Sequence, residues 1–219
     1  MKILHYFPTT RLSEGGTVRA ALDFCTVLAR RGHDVYWVTA DDTDVPEAWK
    51  NKEANCPFLH MLGPLTTRNR LSKSQLAKVK ILTNEVDAVH IHAMWDLSNP
   101  QVAKVCKQTQ TPWVLSVHGM LDDWSMSQRK LKKVLYLLTV GKILVRDTTV
   151  FHTTALEEKR QASKWLKHTN IDVIPCIVDL EPYEQVPDPS LAFTNYGKVD
   201  EATVLFLSRV HEKKSIETL

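Results

Sequence analysis

The chain has 219 residues, of which 43% are hydrophobic and 24% charged, with a net charge of +3. That length suffices for one large domain and the beginning of another, and so slight a charge, with no basic stripe interleaved with aromatics, makes no case for nucleic acid. No apolar run approaches the roughly 20 residues that a membrane-crossing helix needs, and Met1-Lys-Ile-Leu-His-Tyr-Phe-Pro8 breaks too early for a secretory signal.

The pattern from the first residue is short apolar runs alternating with helical periodicity. Lys2-Ile-Leu-His-Tyr-Phe7 predicts a strand ended by Pro8. Thr17 to Arg31 predicts a helix, with Val18, Ala21, Leu22, Cys25 and Leu28 on one face and Gly32 as its stop. Val35–Thr39 and Pro57–Leu62 read as strands, Ser74–Glu85 as a polar-faced helix and Val86–Ile91 as another strand. Asn99 is expected to cap a helix with Pro100 at its first position. Trp113–Val117 and Thr149–His152 follow as strands, separated by one long helix over 128–146. Thr154 and Glu157 have capping-box spacing for the next helix, and Ile171–Ile174 closes the series. Four cysteines (Cys25, Cys56, Cys106 and Cys176) stand far apart and form no Cys-x-x-Cys pair, so they read as reduced core thiols of a cytoplasmic protein.

Strands rich in Val and Ile between helices imply parallel β-α-β units and a Rossmann-like, doubly wound α/β sheet. That domain is assigned to residues 1–180. Residues 181–200, with Pro182, Pro187 and Pro189 and little periodicity, read as an interdomain linker. Residues 201–219 then begin a second unit: an apolar strand at Thr203–Leu207 and a cationic turn with Arg209, Lys213 and Lys214 before a helix start. A strand, a basic turn and a helix N-terminus together suit a phosphate; a solvated basic turn is the plainer reading.

Ligands of open parallel sheets sit at the carboxyl ends of the strands, so residues that follow strands carry the candidate chemistry. Gly15 and Gly16 precede a helix and allow close backbone approach to a phosphate or hydroxyl; a flexible loop is the alternative. His118, followed by Gly119 and Met120, stands at a strand tip, where it is either a crevice hydrogen-bonding group or a structural histidine. His90 and His92 alternate to one face, yet no third ligand sits at helpful spacing, and no metal site is expected. The 128–146 segment is basic at its start and apolar later. It reads either as a helix packed on the sheet or as one lying on an anionic membrane surface.

Together these pieces resemble the retaining glycosyltransferases of family 4, also called group 1, which have the two-domain GT-B fold. The resemblance rests on Gly15-Gly16, His90-Ile-His92-Ala-Met-Trp95, Ser116-Val-His118-Gly-Met120 with Trp124, and Phe151 to Glu158. Val173-Ile-Pro175 with Val178-Asp179, and Ser208-Arg209 to Ser215, complete it in the family's order. The chain departs from the family in having Cys176-Ile177 where Asn-Gly is usual, and Ser208 and Ser215 where glycine is common.

The resemblance implies the N-terminal, acceptor-side half of such an enzyme. Arg209, Lys214 and Gly16 would hold the donor diphosphate without a metal. His118 would orient the transferred sugar, and Gly15, His92, Trp95 and Met120 would face the acceptor. The implied partners are a nucleotide-sugar donor as substrate, with no cofactor, and a glycan or lipid-linked acceptor of surface polysaccharide synthesis. A cytoplasmic protein peripheral at the inner membrane face is expected, and the chain by itself is expected to be an inactive fragment. A carbohydrate-binding or lipid-carrier-binding module and a sugar-nucleotide epimerase remain the alternatives.

Overall fold

The computed structural model describes residues 1–166, 170–181, 184–185, 188, 190, 206–208, 210–214 and 216–218. Its first compact unit, Met1–Asp179, is built on seven strands: β1 (Lys2–Tyr6), β2 (Asp34–Thr39), β3 (Phe58–Met61), β4 (Ala88–His92), β5 (Trp113–Ser116), β6 (Val150–Thr153) and β7 (Ile171–Val173). They form one all-parallel sheet in the order β3-β2-β1-β4-β5-β6-β7. The helices are α1 (Gly16–Arg30), α2 (Glu47–Lys50), α3 (Lys73–Thr83), α4 (Ser98–Thr109), α5 (Asp123–Ser127), α6 (Lys130–Leu138), α7 (Lys142–Arg146) and α8 (Leu156–Ala162). The chain adds β2 and β3 on one side of β1, then crosses to β4 on the other. This reversal at β1/β4 is where a doubly wound sheet opens a crevice.

Alternation along the strands divides the sheet into two unlike faces. Leu4, Tyr6, Val89, Ile91, Leu115 and Phe151 pack with α3, α4 and α7 residues such as Val79, Val102 and Leu144 into an aliphatic core. On the other face Phe7 and Trp37 pack with Val18, Leu22 and Cys25 of α1, and the register sets His5 beside His90 and His92 beside Ser116. The C-terminus of α1 closes as its sequence predicts: Gly32 takes φ 84° and donates to the Ala29 carbonyl, while His33 donates to Leu28.

Four local expectations are corrected. Cys25 and Cys106 are buried, but Cys56 is half-buried and Cys176 exposed, so the thiols are not all in the core. Asn99 does not cap α4, which begins at Ser98 after Leu97. Its amide instead donates to the carbonyls of His92 and Ala93, buried acceptors at the end of β4 that need a donor. Thr154 and Glu157 form no capping box; Glu158 accepts from the Thr154 amide and hydroxyl, one residue later than the spacing suggests. The expected single helix over 128–146 is broken into α6 and α7. Tyr136 reaches back to donate to the Met94 carbonyl at 2.8 Å. Its ring occupies the space that a Cβ on residue 141 would take, and glycine stands there, in the turn between the end of α6 at Leu138 and the start of α7 at Lys142.

The second compact unit is Leu180–Leu219. Most of the expected linker, residues 203–205 of the expected strand, and Arg209 lie outside the described residues. Phe206 and Leu207 are not in a strand, and Lys214 ends a short 3-10 turn, Glu212–Lys214, where an α-helix start is predicted.

Candidate active site

The carboxyl edge of the sheet gathers most of the predicted site. His118 lies two residues past β5 with φ 49°, and Gly119 follows at φ 67°. Consecutive left-handed residues turn the tip sharply, and a non-glycine residue there stores strain that the surroundings must hold. Glu158 supplies the hold: its Oε1 accepts the Gly119 amide while its Oε2 takes the Thr154 amide and hydroxyl. One carboxylate from α8 thus ties the β5 tip to the end of β6. Nothing in local spacing marks Glu158 for this role, since its partner is 39 residues away.

Behind His118 lies a row of imidazoles. His118 Nε2 is 3.2 Å from His92 Nδ1, and His92 Nε2 is 3.1 Å from His5 Nδ1. A second row runs from His90 Nε2 to Ser116 Oγ and on to His152 Nδ1, both at 2.6 Å, and ends where His152 Nε2 meets the Ile174 carbonyl at 2.8 Å. Burial alone pulls the His5 imidazole down to about 3. Burial, then the nearby His152, brings His118 to about 4. Burial, then the surrounding histidines, holds His90 and His92 well below the usual range. These four rings are neutral at physiological pH, because a charge in so dry a cluster has too little solvation.

His92 is 2% exposed and is bonded to His118. His5 is the site residue that the local pattern hides. It joins His90 and His92 only through the β1–β4 register, and ligand atoms of the three lie within 4.8 Å of one another. The trio contains no anionic ligand. His5 and His92 already bond each other, and His90 is bonded to Ser116. His5 is thus the third imidazole that spacing along the chain does not supply, and a metal ion held by the trio would have to displace these bonds.

Gly15 caps α1 with φ 122° and ψ −174°, a region essentially restricted to glycine. Gly16, the first residue of the 15-residue α1, has no atom within 4 Å of where a Cβ would stand, so the helix N-terminus opens onto free space. Trp95 packs edge-on against Tyr136 at 5.5 Å and lies 5.0 Å beneath the Lys133 ammonium. Met120 turns inward, its sulfur accepting the Met94 amide. A separate cleft of about 550 Å³ lies at the ends of β1 to β3, lined by polar groups including Thr9, Arg11, Asp41, Asn69 and Asp96. Arg11 and Asp41 are ion-paired there at 2.6 Å. The predicted residues therefore divide between the β5 tip with its backing, the α1 N-terminus, and the second compact unit.

A family model described as Glycosyltransferase Family 4 matches residues 14–182. The chain belongs to this family. No curated protein gives a significant sequence match. HepE of Anabaena, solved with UDP and glucose, is similar at TM-score 0.65 and 17% identity, over 90% of this chain and 50% of HepE. Staphylococcus aureus MnaA, solved with UDP, is similar at TM-score 0.53 and 12% identity, over 78% of this chain and 44% of MnaA. A provisionally assigned UDP-N-acetylglucosamine 2-epimerase from Listeria monocytogenes gives TM-score 0.51 and 11% identity, over 79% and 44%. At these identities the likeness is one of fold: the Rossmann-like half that the resemblance to GT-B enzymes implies. The chain spans about half the length of the solved structures it matches.

Proposed function

We propose that the chain is the acceptor-side part of a retaining, metal-independent glycosyltransferase that moves a sugar from a nucleotide-sugar donor to a glycan or lipid-linked acceptor. The observation that carries this reading is the β5 tip: a neutral His118 on a strained turn at the crevice edge of a family 4 sheet, held by Glu158. A neutral imidazole forms a hydrogen bond to a sugar hydroxyl without competing for the leaving phosphate. Gly16 lets the α1 N-terminus approach the diphosphate, and Arg209 and Lys214 would offset the charge that grows on it. The 550 Å³ cleft has the size and polarity for a polyhydroxyl acceptor, and Glu14 and Asp96, the chain neighbours of Gly15 and Trp95, line it.

A cytoplasmic setting at the inner membrane face, in surface polysaccharide synthesis, belongs to the same proposal. No helix among the described residues is long and apolar enough to cross a membrane. Helix α6, however, exposes Leu131, Leu135 and Leu138 at 87%, 62% and 63%, next to Lys130 and Lys132. An apolar stripe bordered by lysines suits an anionic lipid surface, and sedimentation with anionic vesicles at low salt is expected to decline as salt is raised. Unchanged sedimentation with and without vesicles removes this part.

The central experiment is transfer of labelled sugar from UDP-glucose, assayed on the longest product of this reading frame. His118→Ala and Arg209→Ala are each expected to cost about 100-fold or more, and full transfer by both variants overturns the site. The fold likeness to an assigned epimerase motivates a second readout: altered free nucleotide sugar in place of a glycoside identifies an epimerase. Sugar or lipid-diphosphate binding with no donor affinity identifies a binding module.

A further inference from the structure

We propose that His5 and His92 are positioning residues: with His118 they form a one-way chain of neutral imidazoles that presents His118 to the crevice as a hydrogen-bond donor through its Nδ1–H. The inference deepens the proposed function, since it rests on His118 facing the transferred sugar, but its geometry stands apart from any ligand.

The neighbouring row shows how such a chain acquires a direction. The Ile174 carbonyl only accepts, so His152 must carry its proton on Nε2. Neutral His152 then has a bare Nδ1, which accepts the Ser116 hydroxyl proton, and Ser116 Oγ in turn accepts from His90 Nε2–H. One backbone carbonyl therefore fixes every proton along the row.

The His5–His92–His118 row ends differently. Each internal bond joins Nδ1 of one ring to Nε2 of the next, so a single direction holds along its whole length. If the protons point toward His5, that ring must carry a proton on Nε2, an atom fully buried with no hydrogen-bond partner. If they point toward His118, the unpartnered atom is a bare lone pair. Buried N–H groups without acceptors are the rarer defect in folded proteins, acceptors lacking a donor the more tolerated one. The direction follows: His5 Nδ1–H donates to His92 Nε2, and His92 Nδ1–H donates to His118 Nε2. With Nε2 occupied, the nitrogen left to a ligand is Nδ1, and it bears the proton. His118 then donates to an electron-rich oxygen of a sugar hydroxyl, and it has no lone pair to act as a base toward an acceptor. Replacing His5, 0% exposed and separated from His118 by another ring, should change what His118 offers.

The decisive measurement is long-range nitrogen–proton correlation NMR on the ligand-free, nitrogen-15-labelled chain at pH 7.5, which reads the tautomer of each histidine. Nδ1–H forms are expected for His5, His92 and His118, against Nε2–H forms for His90 and His152, which serve as internal controls. A His118 proton on Nε2 overturns the proposal. In His5→Phe, which keeps the ring volume but removes the donor, His118 is expected to become a tautomer mixture, and an unchanged Nδ1–H form also overturns it. Should that variant not fold, the wild-type spectrum still decides. On protein that turns over UDP-glucose, His5→Phe is expected to weaken UDP-glucose about fivefold while leaving UDP itself unchanged. Absence of any sugar transfer would sink the functional reading yet leave the tautomer result standing, so the two failures are separable.

Discussion

The two faces of the central sheet are similarly dry and chemically opposite. On one, Leu4, Val89, Ile91, Leu115 and Phe151 are all 0% exposed and held by packing that has no preferred direction. On the other, His5, His92, Ser116 and His152 are 0%, 2%, 1% and 8% exposed, and hydrogen bonds fix where nearly every polar atom points. The aliphatic face provides stability that is indifferent to pH. The histidine face provides defined proton positions beside the crevice, at the cost of making the fold sensitive to acid.

Acid is thus the strongest way to separate the two. A histidine whose folded pKa lies below its unfolded 6.5 binds fewer protons when folded, so its stabilising contribution is complete above about pH 6.5 and is lost as pH falls toward the folded value. With His118 near 4, His5 near 3, and His90 and His92 also depressed, the window runs from about 6.5 down to 4 and below. Each ring contributes roughly 1 kcal/mol per pH unit in that window, so urea unfolding should show stability dropping by several kcal/mol between pH 7 and 4.5. A flat profile there contradicts the neutral cluster. On the opposite face Phe151→Ala should cost about 3–5 kcal/mol, by the same amount at pH 7.5 and pH 6. A loss that varies with pH would mean the faces are not independent.

How much of this was legible in the sequence follows the same division. Runs such as Val35–Thr39 and Trp113–Val117 carry their burial in their own composition, so the seven strands and the parallel architecture could be read directly, with ends shifted by a residue or two. His118, Gly15 and Gly16 were legible as site candidates because they follow strands. His5, Ser116, His152 and Glu158 were not, because their roles arise from partners 22 to 87 residues away that only the sheet register brings together. The broken 128–146 helix has a similar origin: apolar periodicity continues through it, and the Tyr136 ring over Gly141 is a tertiary event that periodicity does not encode.

Ser116→Ala probes the histidine face with less disruption than acid. It leaves His90 Nε2 and His152 Nδ1 without their shared partner in a buried site, and the expected loss is about 2 kcal/mol at pH 7.5. Ser116→Cys, which retains a weak donor and acceptor, should recover part of it. If Ser116→Ala unfolds at the wild-type urea midpoint, the row is not holding the strands, and the comparison between the faces loses its energetic basis.

The two glycines at the start of α1 separate structural need from ligand need. Gly15 occupies φ 122°, ψ −174°, so Gly15→Ala should cost about 1–3 kcal/mol through strain. Gly16 is helical, and a Cβ there meets nothing within 4 Å, so Gly16→Ala should change stability by no more than about 0.5 kcal/mol. The fold therefore makes no steric demand for glycine at 16. If the α1 N-terminus receives a diphosphate, the added methyl occupies the space that the phosphate needs. Calorimetric titration of the longest product with UDP is then expected to show weaker binding for a variant as stable as the wild type. Unaltered UDP affinity in Gly16→Ala would place the diphosphate away from α1 and leave His118 as the first unit's contact with the donor.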